Sequence, residues 1–417
     1  MVNPEPADVL TPDFYDYPWT PIASAEVNDG FVYVAWPDGQ QYSAYGWWLR
    51  EVIVADGGTD PTTREGTVDP AHFSEDLILI SAIVDSDGGL RVAFNDGFAG
   101  TVHPGWLRHV ADGHHRVDAE IPATIIWTAN TLTAPPTFDG AAVIDGNAEE
   151  LHSFLEALAA FGLARLGDVP ADHCGHEGLV AVTDRIGVRR LSNFGDRWNV
   201  KAEITGNVEN STANTGFRLG PHTDLPTRET PPGFQFLHCV ANTVSGGWSR
   251  MTDGAAIVAH LRKEEPGILD ALSTLKWIFF NRSRDHDHRW RGPMIDHGVA
   301  GSPLAIRAFY PVRGFPDPEM STEDIPRAYR AAQRFHQLAA DPRFQIGYPF
   351  SSGDLVGFDN RRILHGRDAF ETGAGVRHLR GTYIDHDEVY SRLRVLARRI
   401  RTGETDAAGE HKEVPTP

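Results

Sequence analysis

The run Gly353-Asp354-Leu355-Val356-Gly357-Phe358-Asp359-Asn360-Arg361-Arg362-Ile363-Leu364-His365-Gly366-Arg367 reads as an apolar strand that enters a polar bend and delivers a histidine. Twelve residues after His365 stands Arg377, within Arg377-His378-Leu379. Upstream, among 19 histidines, only His222-Thr223-Asp224 has the form His-x-Asp. On a strand or its edge, residues i and i+2 point to one side, so this imidazole and carboxylate can grip one ion together. With one remote histidine they make a two-His, one-carboxylate set that leaves a face of the metal open, the arrangement of non-haem Fe(II) oxygenases. A histidine-rich chain supplies a lone His-x-Asp by chance. The pair, a distant histidine and a trailing arginine together are far more specific. An arginine near the remote ligand can hold a carboxylate bidentately. A keto-acid co-substrate needs that grip at its far end while its other end chelates the metal.

Outward from these motifs, residues 200 to 385 are short β-rich runs punctuated by Gly and Pro, with helical interruptions at 254–275 and 325–340. That mix predicts a mostly β fold with flanking helices, a barrel or jelly roll. Before it, Asn147 can cap a helix with Glu150 as its capping-box partner, and Leu151, Phe154, Leu155 and Leu158 keep helical spacing up to Gly162. A second helix is expected over 176–190. A last one is expected over about 386–402, with Val389, Leu393, Leu396 and Ile400 on one stripe and Gly403 as its stop. The N-terminal part alternates strand-like runs (Phe31-Val32-Tyr33-Val34-Ala35-Trp36, Leu77-Ile78-Leu79-Ile80, Leu90-Arg91-Val92-Ala93-Phe94) with turns such as Pro37-Asp38-Gly39. The expected organisation is a flexible lead-in over 1–20, a small N-terminal β-domain over 21–120, a linker over 121–140, a catalytic domain over 141–403 and a disordered tail over 404–417.

Composition narrows the partners. The 417 residues are 41% hydrophobic and 23% charged, the balance of a chain that builds a core. Lys plus Arg is 38 and Asp plus Glu 57, a net charge of −19. Such a surface repels phosphate backbones and anionic membranes, so neither nucleic acid nor a membrane is expected as partner. The two cysteines, Cys174 and Cys239, cannot build a disulfide framework or a cysteine-rich zinc module, and read as small buried hydrophobes. The start Met1-Val2-Asn3-Pro4-Glu5 has no signal-peptide pattern, and no stretch is long and apolar enough for a span. A cytoplasmic protein acting on a small molecule is expected.

The chain resembles the Fe(II)/2-oxoglutarate dioxygenases of the TauD/TfdA superfamily, on the branch of γ-butyrobetaine and trimethyllysine hydroxylases. The likeness runs over roughly 30–400. It rests on Phe194-Gly195-Asp196-Arg197-Trp198, on His222-Thr223-Asp224, on Pro231-Pro232-Gly233-Phe234-Gln235-Phe236-Leu237-His238-Cys239, and on Gly246-Gly247-Trp248-Ser249. It continues in the block Phe358 to Arg367, and in Arg377-His378-Leu379-Arg380-Gly381-Thr382-Tyr383 leading into Ser391-Arg392-Leu393-Arg394. The resemblance implies a double-stranded β-helix (jelly roll) behind a small N-terminal β-domain, and a homodimer. It implies His222, Asp224 and His365 as ligands of Fe(II), and Arg377 on the C5 carboxylate of 2-oxoglutarate, with Ser249 assisting and Leu237 lining that pocket. The reaction implied is hydroxylation of an unactivated C–H of a small polar, betaine-like substrate, with O2 and 2-oxoglutarate consumed and succinate and CO2 released. The same scaffold also supports desaturation, cyclisation or C–N cleavage. A non-enzymatic binding protein and a metallohydrolase are the rival classes. The intact His222, Asp224, His365 and Arg377 speak against the first. The trailing arginine, with no general base evident beside the motif, speaks against the second.

The pattern of that branch is not kept everywhere. Its members hold a trimethylammonium in an aromatic cage by cation–π attraction. Phe194, Trp198 and Tyr383 resemble cage walls, but where a further ring is expected the chain reads Ala213-Asn214-Thr215-Gly216. The branch places an Asn-rich turn after the Arg307 strand, whereas this chain reads Arg307-Ala308-Phe309-Tyr310-Pro311-Val312-Arg313. Asn207, Asn210 and Asn214 remain as polar substrate contacts. The branch also carries a zinc site of three cysteines and a histidine. Here Trp48-Leu49-Arg50-Glu51 is followed by Val52-Ile53-Val54-Ala55, and only His103 matches a ligand, so no structural zinc is expected. Asp285-His286-Asp287-His288 reads as a solvated polar loop, with a lid over the substrate as the alternative, and His114-His115 as exposed.

Overall fold

The computed structural model describes residues 9–201, 214–282, 284–297, 305–308, 314–371 and 375–404. The chain divides into two compact units, Met1–Ala119 and Glu120–Pro417.

In the first unit, Ser24–Asn28, Phe31–Ala35 and Gln41–Tyr45 form one antiparallel sheet. Leu79–Val84, Leu90–Phe94 and Ala99–Val102 form a second. The tight turns Asp29-Gly30 and Asp87-Gly88 supply the left-handed backbone that returns each strand. Val32, Val34, Leu90 and Val92 alternate inward to a core shared with Leu49 and Leu107. The segment Trp48-Leu49-Arg50-Glu51 lies in the helix Gly46–Val52. His103 caps the helix Pro104–Ala111, its Nδ1 accepting the Trp106 amide at 3.1 Å.

The second unit is built on two sheets. The larger has the order Arg197–Lys201, Arg377–Ile384, Phe234–Asn242, Leu355–Asp359, Leu163–Gly167, Thr137–Asp139. All its pairs are antiparallel except the last. The smaller has the order Leu219–His222, Ile363–Arg367, Ser249–Asp253, Gln345–Tyr348, antiparallel throughout. Leu237, Cys239, Val356, Phe358 and Leu379 of the first and Met251, Ile346, Tyr348 and Ile363 of the second share one core. This is the two-sheet sandwich of a jelly roll. Because side chains alternate along a strand, the same inner faces also present Gln235, Arg377, Tyr383, His365 and Arg367. The opposite face of the larger sheet, with Phe234, Phe236 and Ile384, packs on the helices Ala148–Phe161, Gly178–Thr183 and His386–Thr402.

The helix caps follow local chemistry. Asn147 accepts the Glu150 amide at 3.0 Å, and Gly162 ends that helix in the left-handed region. Glu150 departs from the capping box, since its carboxylate accepts the Asp139 amide at 2.7 Å instead. The interruption at 254–275 is two helices, Gly254–Glu264 and Pro266–Thr274, because Pro266 cannot donate its amide within a continuous helix. The interruption expected at 325–340 is the helix Asp324–Ala339. The helix expected over 176–190 is a correction: only Gly178–Thr183 is helical, and His176–Glu177 pairs with Asp172–His173. Cys174 is a second correction. It is exposed in that turn, at φ 48°, whereas Cys239 is buried. A third concerns the 285–288 cluster. Asp287 and His288 open the strand Asp287–Gly292, paired with Trp277–Arg282, rather than sitting in a loop. Within 121–140, Trp127 is buried, its amide bonded to Asp253, and Thr137–Asp139 extends the larger sheet. Residues 405–417 of the expected tail lie outside the described residues. Among the described residues no helix is long and apolar enough to cross a membrane.

Candidate metal and co-substrate site

His222 and His365 are cross-strand partners in the smaller sheet. Directly opposed residues of an antiparallel pair point to the same side, so sheet register brings the two rings together, their centroids 4.1 Å apart. Asp224 follows two residues later. Its Oδ1 lies 3.4 Å from His222 Nε2 and 3.9 Å from His365 Nε2. One donor atom from each of the three lies within 4.8 Å of the others, and among the described residues no other group of His, Cys, Asp or Glu does this.

Electrostatics prepare the three for a cation. Burial, then the neighbouring His222, pushes the His365 imidazole down to about 3, so it is neutral with a lone pair to give. Burial opposes charge on Asp224, but His365, His222 and the Tyr383 hydroxyl outweigh it and hold the carboxyl below its usual range. The Tyr383 hydroxyl, pushed well above its ordinary value by burial and by Asp224, stays a proton donor to Asp224 Oδ2 at 2.7 Å. His222 Nδ1 lies 2.9 Å from the Gly220 carbonyl, which fixes its proton there and turns Nε2 toward Asp224. Two imidazoles and one carboxylate form a donor set that suits a ferrous ion.

The backbone around Asp224 is clamped from three sides. Asn360, fully buried, accepts the Asp224 amide at 2.6 Å and donates to the Asp224 carbonyl at 3.0 Å and to Pro232 at 3.2 Å. Thr223 bonds to Ile306 and Ala308. The buried Arg307 donates to the carbonyls of Pro226, Arg228 and Glu229, with its guanidinium 4.9 Å from the Trp290 ring centroid. Leu225 adopts φ 50°, and these bonds hold that left-handed turn.

Arg377 opens the Arg377–Ile384 strand opposite Asn242. It is 6% exposed, and among the described residues its guanidinium has no ion pair or hydrogen bond. An unpaired cation buried this far is costly unless a ligand completes it. Ser249 is buried and stands opposite Arg367 in register. Leu237 faces the interior opposite Gly381. Of the candidate substrate contacts, Trp198 lies against Tyr383 at 4.4 Å between centroids, and Phe194 against Trp198 at 6.2 Å. Gly381 makes that seat, since a Cβ there would meet the Trp198 indole at 2.6 Å. Tyr383 is buried, whereas Phe194 is 43% exposed. Asn214 is half-buried ahead of the His222 strand. Asn207, Asn210 and Phe309 to Arg313 lie outside the described residues.

Sequence reasoning missed Asn360, although it quoted the run that holds it, and missed the Tyr383 contact with Asp224. It also passed over Gln235, whose buried side-chain oxygen has no hydrogen-bond partner among the described residues. Its register neighbours are Tyr383 and Phe358. The only local signal was an amide within the apolar run from Phe234 to Leu237.

The family model for taurine catabolism dioxygenase TauD, TfdA family matches residues 127–383. The chain is 36% identical to a γ-butyrobetaine dioxygenase of Pseudomonas sp. (strain AK-1), over 93% of this chain and 99% of that protein. It is 31% identical to the human γ-butyrobetaine dioxygenase over 61% of this chain and 65% of that one. It is 24% identical to a mouse mitochondrial trimethyllysine dioxygenase over 84% and 82%. Among solved structures, a taurine dioxygenase from Burkholderia xenovorans aligns with a TM-score of 0.43 at 15% identity, over 57% of this chain and 81% of that one. The chain therefore belongs to the TauD/TfdA family and is a dioxygenase, an oxidoreductase of the kind that uses Fe(II) with 2-oxoglutarate and O2 as co-substrates.

Proposed function

We propose that the chain hydroxylates an unactivated C–H of a small, betaine-like cation, with His222, Asp224 and His365 holding Fe(II) and Arg377 holding the C5 carboxylate of 2-oxoglutarate. The observation that carries this reading is the convergence of two imidazoles and a carboxylate in one jelly roll that also buries an uncompensated guanidinium. When bound, the iron and its co-acid supply the oxidising power that no side chain provides. The protein's own share is placement. Tyr383 and Asn360 fix Asp224. Leu237 and its apolar neighbours keep water from the co-acid, and Ser249 assists Arg377. Trp198 and Tyr383, with Phe194 at the rim, offer ring faces to a cation beside the metal. The named activities of the relatives support a quaternary ammonium substrate. Desaturation, cyclisation or C–N cleavage by the same site depends on where the substrate C–H sits, to within about an ångström.

The test is succinate release under Fe(II), 2-oxoglutarate and O2 against a panel of betaines, amino acids and aminophosphonates. Substrate-dependent succinate with a hydroxylated betaine supports the reading. Turnover of other compounds with none of the betaines removes the betaine part. The Asn360 clamp gives a second expectation. Asn360→Ala lowers Fe(II) affinity about 10–100-fold, the usual effect of removing a group that orients a metal ligand. Anaerobic Fe(II) titration measures it, and an unchanged affinity would show that Asp224 needs no such support.

A further inference from the structure

Two buried guanidiniums lie over one aromatic ring. The Arg367 Cζ lies 4.7 Å from the Phe370 ring centroid and the Arg377 Cζ 5.7 Å from it. Arg367 is 5% exposed, Arg377 6% and Phe370 8%. Arg367 has protein acceptors: its guanidinium donates to the carbonyls of Thr215 and Phe217. Arg377 has none among the described residues, so on the protein side the ring face is the partner that orients its charge. The ring itself is seated by backbone. Phe370 donates its amide to Gly216 at 3.0 Å and bridges to Gly246. Gly246 and Gly247 turn beneath it at φ 85° and 66°, and a Cβ on Gly247 would stand 3.2 Å from the ring.

We infer that Phe370 is a positioning residue of the co-acid pocket, a ring in cation–π contact with both Arg367 and Arg377 that aims the Arg377 fork at the distal carboxylate. The inference rests on the reading of Arg377 given above. Two like charges buried against the same ring repel each other. The negative face of the ring attracts each of them and offsets part of that repulsion. Arg367, held by its carbonyls, adds positive potential without competing for the carboxylate. The pocket is thereby set for a co-acid with a second carboxylate.

The experiment titrates 2-oxoglutarate anaerobically into the Fe(II)-loaded full chain by its absorption band, with KM and kcat measured in parallel. Phe370→Leu keeps the bulk and removes the ring face. It should weaken 2-oxoglutarate binding about tenfold, as KM rather than kcat, with Fe(II) affinity unchanged. Phe370→Tyr should restore wild-type binding. Pyruvate, which lacks the distal carboxylate, should bind Phe370→Leu and wild type alike. Equal weakening for pyruvate and 2-oxoglutarate, or a Tyr variant as weak as Leu, overturns the inference and reduces Phe370 to packing. Phe370→Met asks the same question if the Leu variant does not fold. Arg377→Met in parallel separates the two readings. If it weakens 2-oxoglutarate binding and Phe370→Leu does not, only the ring's role falls. If neither does, the anchor reading falls as well.

Discussion

His222→Ala will remove the Fe(II)/2-oxoglutarate absorption band and lower turnover by about 10³-fold or more. A metal contributes several kcal/mol to such a reaction, and each ~1.4 kcal/mol is a factor of ten. The loss will not be shared out to other groups, because among the described residues no third histidine, cysteine or acid joins this cluster. His222 sits in a sheet position whose partner is His365, so a methyl there leaves the remaining imidazole and Asp224 with an incomplete grip. Anaerobic Fe(II) titration reads the binding and succinate release reads the turnover. The band persisting at wild-type Fe(II) concentrations would mean that the metal is held elsewhere.

Arg377→Ala will raise the dissociation constant for 2-oxoglutarate by about two orders of magnitude and leave Fe(II) binding near its original value. Removing one member of a buried, hydrogen-bonded charge pair costs about 2–5 kcal/mol, most of it from the carboxylate left without a partner. The guanidinium stands apart from the three metal-site residues in chain and strand position, so the two affinities should separate. Equal loss of both would contradict the assignment. Without the co-acid the Ala variant should gain stability or lose little, since its wild-type counterpart buries an uncompensated charge.

The sequence made the metal-site trio readable because its spacing is local: one pair two residues apart, one histidine at the end of an apolar run. It made the helix Ala148–Phe161 readable because caps act within a single turn. The rest depended on contacts made over long separations. Asn360 meets Asp224 across 136 residues, and its value lies in three backbone bonds that leave no pattern in the chain. Tyr383 read as a substrate wall, and its hydroxyl also serves Asp224. The 176–190 segment carried apolar residues at helical spacing, yet its first two residues pair as a strand and the helix stops at Thr183. The polar run 285–288 resembled a loop because nothing local announces the partner strand Trp277–Arg282.

The pairing of His222 with His365 has a consequence for how such a protein can change. A slip of one residue in either strand would throw one imidazole to the far side of the sheet. The reacting centre is thus inherited together with the alignment of two neighbouring ribbons and tolerates no gain or loss of length there. Of the proposed substrate contacts, Phe194 and Asn214 lie outside the strands, where insertions are tolerated. A lineage can therefore exchange one oxidisable molecule for another by rebuilding its edges while the oxidant's seat stays fixed.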